Sequence, residues 1–249
     1  WMILLLFVCI LGYLLAKEGY PGNWQTFILN FTGIKISYNG AWWYFTIYIL
    51  FIFTSRFWFR LLEKVNPYFY LGLLFLIYLL AFYFRIYRPT IFANPILQWI
   101  HTEGALYFCT LFQFLLGAFA LKFNWHQKAS VLFMKFKYRN AIAILGIILL
   151  MILHGLVPNF IIVPFTALGF IFLFLQLNLG RILDKGLDYF NPHSTNLWLV
   201  HMFFYLIYFK EIIYAPQYPV FIFGWLVLWC LIASYLVIII FNKVEKALL

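Results

Sequence analysis

The chain has 249 residues, of which 66% are hydrophobic, 24% aromatic and only 10% charged. That balance excludes a water-soluble domain, whose surface could not hide so much hydrocarbon, and makes lipid the solvent in which the sequence can fold. The formal net charge of +10 gathers between apolar runs, where it serves topology and contact with membrane lipids; no nucleic-acid partner is expected.

A membrane-spanning helix takes about 20 mostly apolar residues. Eight segments are candidates: 1–16, 41–59, 67–84, 104–121, 140–157, 159–178, 195–214 and 218–241. The expected fold is an all-α, polytopic transmembrane bundle forming one domain over 1–249. The chain opens on Trp1 inside an apolar run, so it is expected to be N-terminally incomplete. Cys9, Cys109 and Cys230 all lie in apolar runs far apart in sequence, a spacing that suits packing and offers neither a disulfide framework nor a metal site.

In the first connection, Trp24, Phe27, Ile28 and Phe31 recur at i, i+3, i+4 and i+7, the pattern of a short helix lying in the membrane interface. The triplet beginning at Asn30 matches a glycosylation sequon and carries no weight alone. Asn39, Trp42 and Trp43 open the second span. Paired tryptophans there suit an aromatic belt, and equally a platform for a sugar or acyl group, since an asparagine both donates and accepts hydrogen bonds. Arg85 and Arg88 end the third span, either as snorkelling anchors or as a clamp on an anionic group. His101 and Glu103, two residues apart, do not share a helical face.

The segment 122–140 sets Lys128, Lys135, Lys137 and Arg139 among Trp125, Leu132, Phe133 and Phe136. It is expected on the cytoplasmic membrane surface, against anionic lipids or an anionic ligand. The fifth and sixth spans form one apolar stretch, so 154–159 is expected to be a tight hairpin with His154 near its outer side; Pro164 interrupts the sixth span. Beyond Arg181 and Lys185, a turn at Asn191-Pro192 and an N-cap from Ser194 are expected to start the seventh span, with His193 and Asn196 at its mouth. His201 follows Ser194 by seven residues, inside the apolar run. An ionisable residue there is a candidate functional residue, as a general base or a hydrogen-bonding group.

Alternate connections divide the 17 basic residues unequally. Arg56, Arg60, Lys64, Lys122, Lys128, Lys135, Lys137, Arg139, Arg181, Lys185, Lys243 and Lys246 fall on one side, and Lys17, Lys35, Arg85, Arg88 and Lys210 on the other. The richer side is cytoplasmic, which places the C-terminus inside. It also puts the start of the second span outside and the start of the seventh inside.

No soluble-enzyme signature occurs: no phosphate loop, no Gly-x-Ser-x-Gly elbow and no paired metal-ligand motif. Three stretches nevertheless resemble acyltransferase family three, integral-membrane enzymes that acylate sugars of bacterial surface polysaccharides. Residues 37–53, "SYNGAWWYFTIYILFIF", are similar to the family's Trp-Phe start of a span. Residues 107–122, "YFCTLFQFLLGAFALK", are similar to its Phe-Leu-Leu-Gly segment, and 193–204, "HSTNLWLVHMFF", to its Ser-x-x-x-aromatic-Leu-x-His motif.

The resemblance implies an acyl-CoA donor, usually acetyl-CoA, with no tightly bound cofactor, and a sugar hydroxyl acceptor on a polysaccharide or its lipid-linked precursor. It implies a multi-pass protein of the bacterial cytoplasmic membrane, about ten spans when complete. His201 and Ser194 match the motif and are the catalytic candidates. Asn39, Trp42, Trp43, Arg85 and Arg88 are the substrate-binding candidates, and Lys128, Lys135, Lys137, Arg139 and Arg181 the candidates for the phosphates of coenzyme A. The family's presumed base, a histidine about ten residues after an arginine in the first span, has no counterpart here: Arg181 to His193 and Arg88 to His101 have the wrong spacing. The alternatives are a transporter or flippase for a lipid-linked sugar or small metabolite, and an inactive fragment.

Overall fold

The structure, a computed structural model, describes residues 1–157 and 159–248. Every apolar run becomes helix, and no strand occurs among the described residues. In chain order the helices are α1 (Met2–Leu14), α2 (Trp24–Phe31), α3 (Trp43–Lys64), α4 (Pro67–Tyr87), α5 (Pro95–Lys122), α6 (Trp125–Phe133), α7 (Arg139–Leu156), α8 (Val163–Phe174), α9 (Gly180–Phe190), α10 (Ser194–Met202), α11 (Lys210–Tyr214) and α12 (Pro219–Leu248). The stretches containing α3, α4, α5, α7 and α12 are long and apolar enough to cross a membrane; Met2–Leu14 and Phe160–Phe174 are apolar but shorter. The protein is therefore an all-α, membrane-embedded helical bundle.

The remaining candidate span, 195–214, is not one helix. It runs as α10, a π-helical turn over Phe203–Tyr208, and α11. The Phe203 N–H turns to the Val200 carbonyl, and the Leu199 carbonyl accepts instead from the Asn39 Nδ2 at 3.1 Å and the Trp42 Nε1 at 2.8 Å. Side chains inserted into a helix ladder are a standard cause of such a break, and π turns cluster at functional sites.

Two compact units make up the chain: Trp1–Ile49 with Gly180–Leu249, and Leu50–Leu179. In the first, α1, α10 and α12 pack around a core that includes Leu5, Val8, Trp42, Val200, Phe203 and Ala233. Gly12 allows close approach, since a Cβ there would lie 2.5 Å from the Tyr20 Cβ and 2.6 Å from the Tyr208 hydroxyl. That hydroxyl donates to the Val8 carbonyl at 2.9 Å, tying the π turn to α1.

The short helix expected from Trp24, Phe27, Ile28 and Phe31 forms as α2, capped by the Asn23 side chain. The return from it is held by Asn30, which is fully buried. Its amide donates to the Thr26 carbonyl (2.8 Å) and Ser37 hydroxyl (2.9 Å), and its carbonyl accepts from the Ser37 and Tyr38 N–H groups (2.9 and 3.1 Å). The sequon residue is thus a structural bracket with its hydrogen bonds spent inside the protein. In the same connection Tyr20 donates to the Tyr38 carbonyl at 2.6 Å, and Tyr38 to that of Pro21. Burial pushes both phenols above their usual range, so both remain donors.

The second unit is built on α4 packed along α5, with α7 and α8 as a further pair. Asn66-Pro67 and Asn94-Pro95 start α4 and α5 in the same way: the asparagine caps two backbone N–H groups, and the proline takes the first helical position, where its missing N–H costs nothing. The Tyr107 hydroxyl accepts from the Trp58 Nε1 (2.8 Å) and bonds the Thr54 hydroxyl (2.7 Å), a polar hub between α3 and α5. Gly146 and Gly169 admit Leu173 and Leu150 between α7 and α8, the close packing that small residues permit in lipid. Asn159 caps the short turn before α8. The expected hairpin at 154–159 includes Pro158, which lies outside the described residues. Pro164 stands in the first turn of α8, so it starts that helix instead of interrupting it.

Between Gly180 and Phe190, read from the sequence as a connection, the chain forms the strongly amphipathic α9. Ile182, Leu183 and Leu187 lie exposed on one stripe, with Arg181, Asp184, Lys185 and Asp188 on the other, the composition of a helix lying along the membrane surface.

Candidate functional site

Trp43 opens α3 and Ser194 opens α10, and both line one cavity of about 760 Å³. Tyr44, Tyr48, Trp198 and Leu199 are further walls, and Trp1 stacks on Phe45 beside them, ring centroids 3.8 Å apart. The Tyr44 ring meets Trp198 edge to face at 5.7 Å. No charged side chain lines this cavity.

The shared cavity corrects the sequence-based view that Ser194 faces an inner approach and Trp43 an outer one. The reason lies in α12. His193 Nδ1 and the Ser234 hydroxyl share a hydrogen bond of 2.9 Å, and Asn196 Nδ2 donates to the same hydroxyl at 3.1 Å. Ser234 lies about fifteen residues into α12, about 22 Å along it at 1.5 Å per residue. Helix α10 therefore begins partway along a spanning helix and not at one of its ends.

Asn39 and Trp42 do not face the cavity wall with Trp43. Both are buried, and both bond the Leu199 carbonyl, while Asn39 also caps the turn that starts α3 by accepting from the Ala41 N–H at 2.8 Å. They hold α10 against the start of α3. Ser194 does not cap α10 as expected: Asn191–His193 is already a helical turn, and the Ser194 hydroxyl donates back to the Asn191 carbonyl at 2.9 Å.

His201 lies seven residues beyond Ser194, on the stripe that also carries Trp198 and Tyr205. Its ring stacks on Tyr205 at 5.8 Å, and its Nδ1 bonds the Trp198 carbonyl. A carbonyl only accepts, so in the neutral ring Nδ1 carries the proton and Nε2 presents a lone pair. His193 is the more buried histidine, wedged against Tyr235 with ring centroids 4.4 Å apart.

Arg85 and Arg88 belong to the second unit. Arg88 is exposed; its Nε donates to the Tyr83 hydroxyl at 3.5 Å, a bond that raises its pKa, and its carbonyl bonds His101 Nε2 at 2.9 Å. That connection is stapled by Gln98, whose carbonyl accepts from the Ile91 and Phe92 N–H groups and whose amide donates to the Pro89 carbonyl. His154 borders a separate cleft between α7 and α8. Lys128, Lys135, Lys137 and Arg139 are exposed on and after α6, and Arg181 is exposed on α9 in the other unit.

The residues that sequence reasoning missed are Ser234, Tyr44, Tyr48 and Thr195. Ser234 gives no signal in an apolar run. Tyr44 and Thr195 directly follow Trp43 and Ser194, and Tyr48 lies one helical turn beyond Tyr44; their shared role appears only where the two helix starts meet. All three cysteines are free and buried, and no group of three or more metal-binding side chains occurs among the described residues. No family model, curated protein or solved structure matches the chain.

Proposed function

We propose that the protein transfers an acyl group, in the first instance acetyl, from acyl-CoA to a sugar hydroxyl of a surface polysaccharide or its lipid-linked precursor, in a bacterial cytoplasmic membrane with the C-terminus inside. The observation that carries this reading is the cavity that joins Ser194 and Trp198 of the motif-like helix to Trp43 at the start of α3. Arg181, in the same unit as the cavity, supplies a cation for the phosphates of the donor. His201 does not line the cavity but follows Trp198 by three residues on the same helix, and its Nε2 offers a lone pair that can take the proton of an acceptor hydroxyl reaching beyond that wall. The hydroxyl oxygen then bonds the thioester carbonyl carbon, the carbon–sulfur bond breaks, and the coenzyme leaves as its thiolate, which takes up a proton.

The test is transfer of labelled acetyl from acetyl-CoA to saccharide acceptors by the purified protein in lipid nanodiscs. Labelled ester is expected, falling by about 10²–10⁴ in His201→Ala with much less loss in His101→Ala. No ester on any acceptor, with a working membrane acyltransferase alongside, rejects the reading. Transport of a lipid-linked sugar is the second reading, favoured by the interrupted helix α10–α11, since transporters bind substrate at broken helices. Sugar flux across sealed vesicles without acyl-CoA would select it.

A further inference from the structure

The walls of the aromatic cavity hold more polar groups than the protein uses. Among the described residues, Trp43 Nε1, Trp198 Nε1, the Tyr44 and Tyr48 hydroxyls and the Thr195 hydroxyl make no hydrogen bond within the protein, although all five side chains line the cavity. The aromatic four keep about 37–49% of their surface exposed. Ser194 adds an oxygen that donates to Asn191 and can still accept.

Two kinds of occupant can be weighed against this inventory. A lipid hydrocarbon chain would satisfy the ring faces but leave the indole N–H and hydroxyl groups unpaired in a low-dielectric setting, where each unpaired group is costly. An ionised occupant fails for the opposite reason, because no Lys, Arg or His lines the cavity to pair with an anion, nor any Asp or Glu to pair with a cation. A ring with apolar C–H faces and hydroxyl edges satisfies both: the faces stack on indole and phenol, and the edges take the unused donors and acceptors. The volume is within the range of about 300–1,000 Å³ found for small-ligand sites.

We propose that this cavity binds an uncharged saccharide ring, so that the acceptor is a neutral sugar and not a uronic acid or a sugar phosphate. Its role as acceptor rests on the acyl-transfer reading above; the binding itself does not.

The experiment is saturation-transfer difference NMR with the protein in nanodiscs, without acyl-CoA, using a neutral methyl hexoside and the matching methyl hexuronide. Signal transfer to the ring protons of the neutral sugar is expected, with affinity reduced about tenfold or more in Trp198→Ala and in Trp43→Ala, a change of about 1.4 kcal/mol. Trp198→Phe, which keeps a stacking face without the N–H, is expected to fall in between and controls for misfolding. Equal or stronger binding of the hexuronide, no binding of the neutral sugar, or binding indifferent to both tryptophans would each overturn the proposal. Neutral-sugar binding without any acyl transfer would end the acyltransferase reading alone; transfer to a uronic acid would end this inference and keep that reading.

Discussion

Replacing Trp42 with alanine is expected to cost about 3–5 kcal/mol of stability, the range for removing a fully buried large aromatic. Trp42 has no exposed surface; its ring packs at 4.6 Å from Trp1 and 5.3 Å from Phe203. Its N–H is one of two donors to the Leu199 carbonyl, which Phe203 does not use. The two donors make the prediction divisible. Trp42→Phe keeps most of the packing, and Asn39→Ala keeps the indole donor, so each leaves the carbonyl one partner and should cost about 1 kcal/mol for that bond; Asn39→Ala should cost about 1 kcal/mol more for the lost cap on the Ala41 N–H. Combined, they strand a buried carbonyl, and the double variant should be less stable than the sum of the two by about 1–3 kcal/mol. Denaturant unfolding in mixed micelles measures all three. Strict additivity would mean that the carbonyl finds another donor, and the clamp would lose its energetic role.

Asn30→Ala is the second large effect. The substitution removes both halves of a four-bond bracket and leaves the Ser37 and Tyr38 N–H groups without their acceptor. At about 1–3 kcal/mol for each unsatisfied buried group, the expected loss is about 2–4 kcal/mol. The bracket fixes the strand of chain that delivers Asn39 and Trp42, so the variant should also bind sugar more weakly when folded. Thr32→Val, which destroys the sequon but leaves the bracket intact, should cost much less by the same unfolding measurement. Equal losses in the two would show that Asn30 is not the bracket described.

The parts of this fold that were legible in the sequence are those set by neighbours along the chain. Trp24, Phe27, Ile28 and Phe31 announce α2 by their spacing, and Asn66-Pro67 and Asn94-Pro95 combine a cap with a residue that belongs at a helix start. Apolar composition announced the spanning helices, but it is blind to helix type: Phe203–Tyr208 is all apolar or aromatic and reads like any buried helix, and only the Asn39 and Trp42 donors, some 160 residues away in sequence, account for the π turn. The same distance hid the cavity. Trp43 and Ser194 each mark a helix start, and counting charges put those starts on opposite faces because it treats every apolar run as a complete crossing. The anchor of His193 and Asn196 to Ser234, well inside α12, removes that assumption for α10.

The most direct measurement of the central claim is the distance between spin labels placed at Trp43 and Ser194 in the protein reconstituted in lipid. Labels on side chains that line one cavity should report a mean separation well short of the hydrocarbon thickness of about 30 Å. A separation of about 30 Å or more would put the two helix starts on opposite faces of the membrane, and would remove the cavity on which both the proposed transfer and the sugar-binding inference stand.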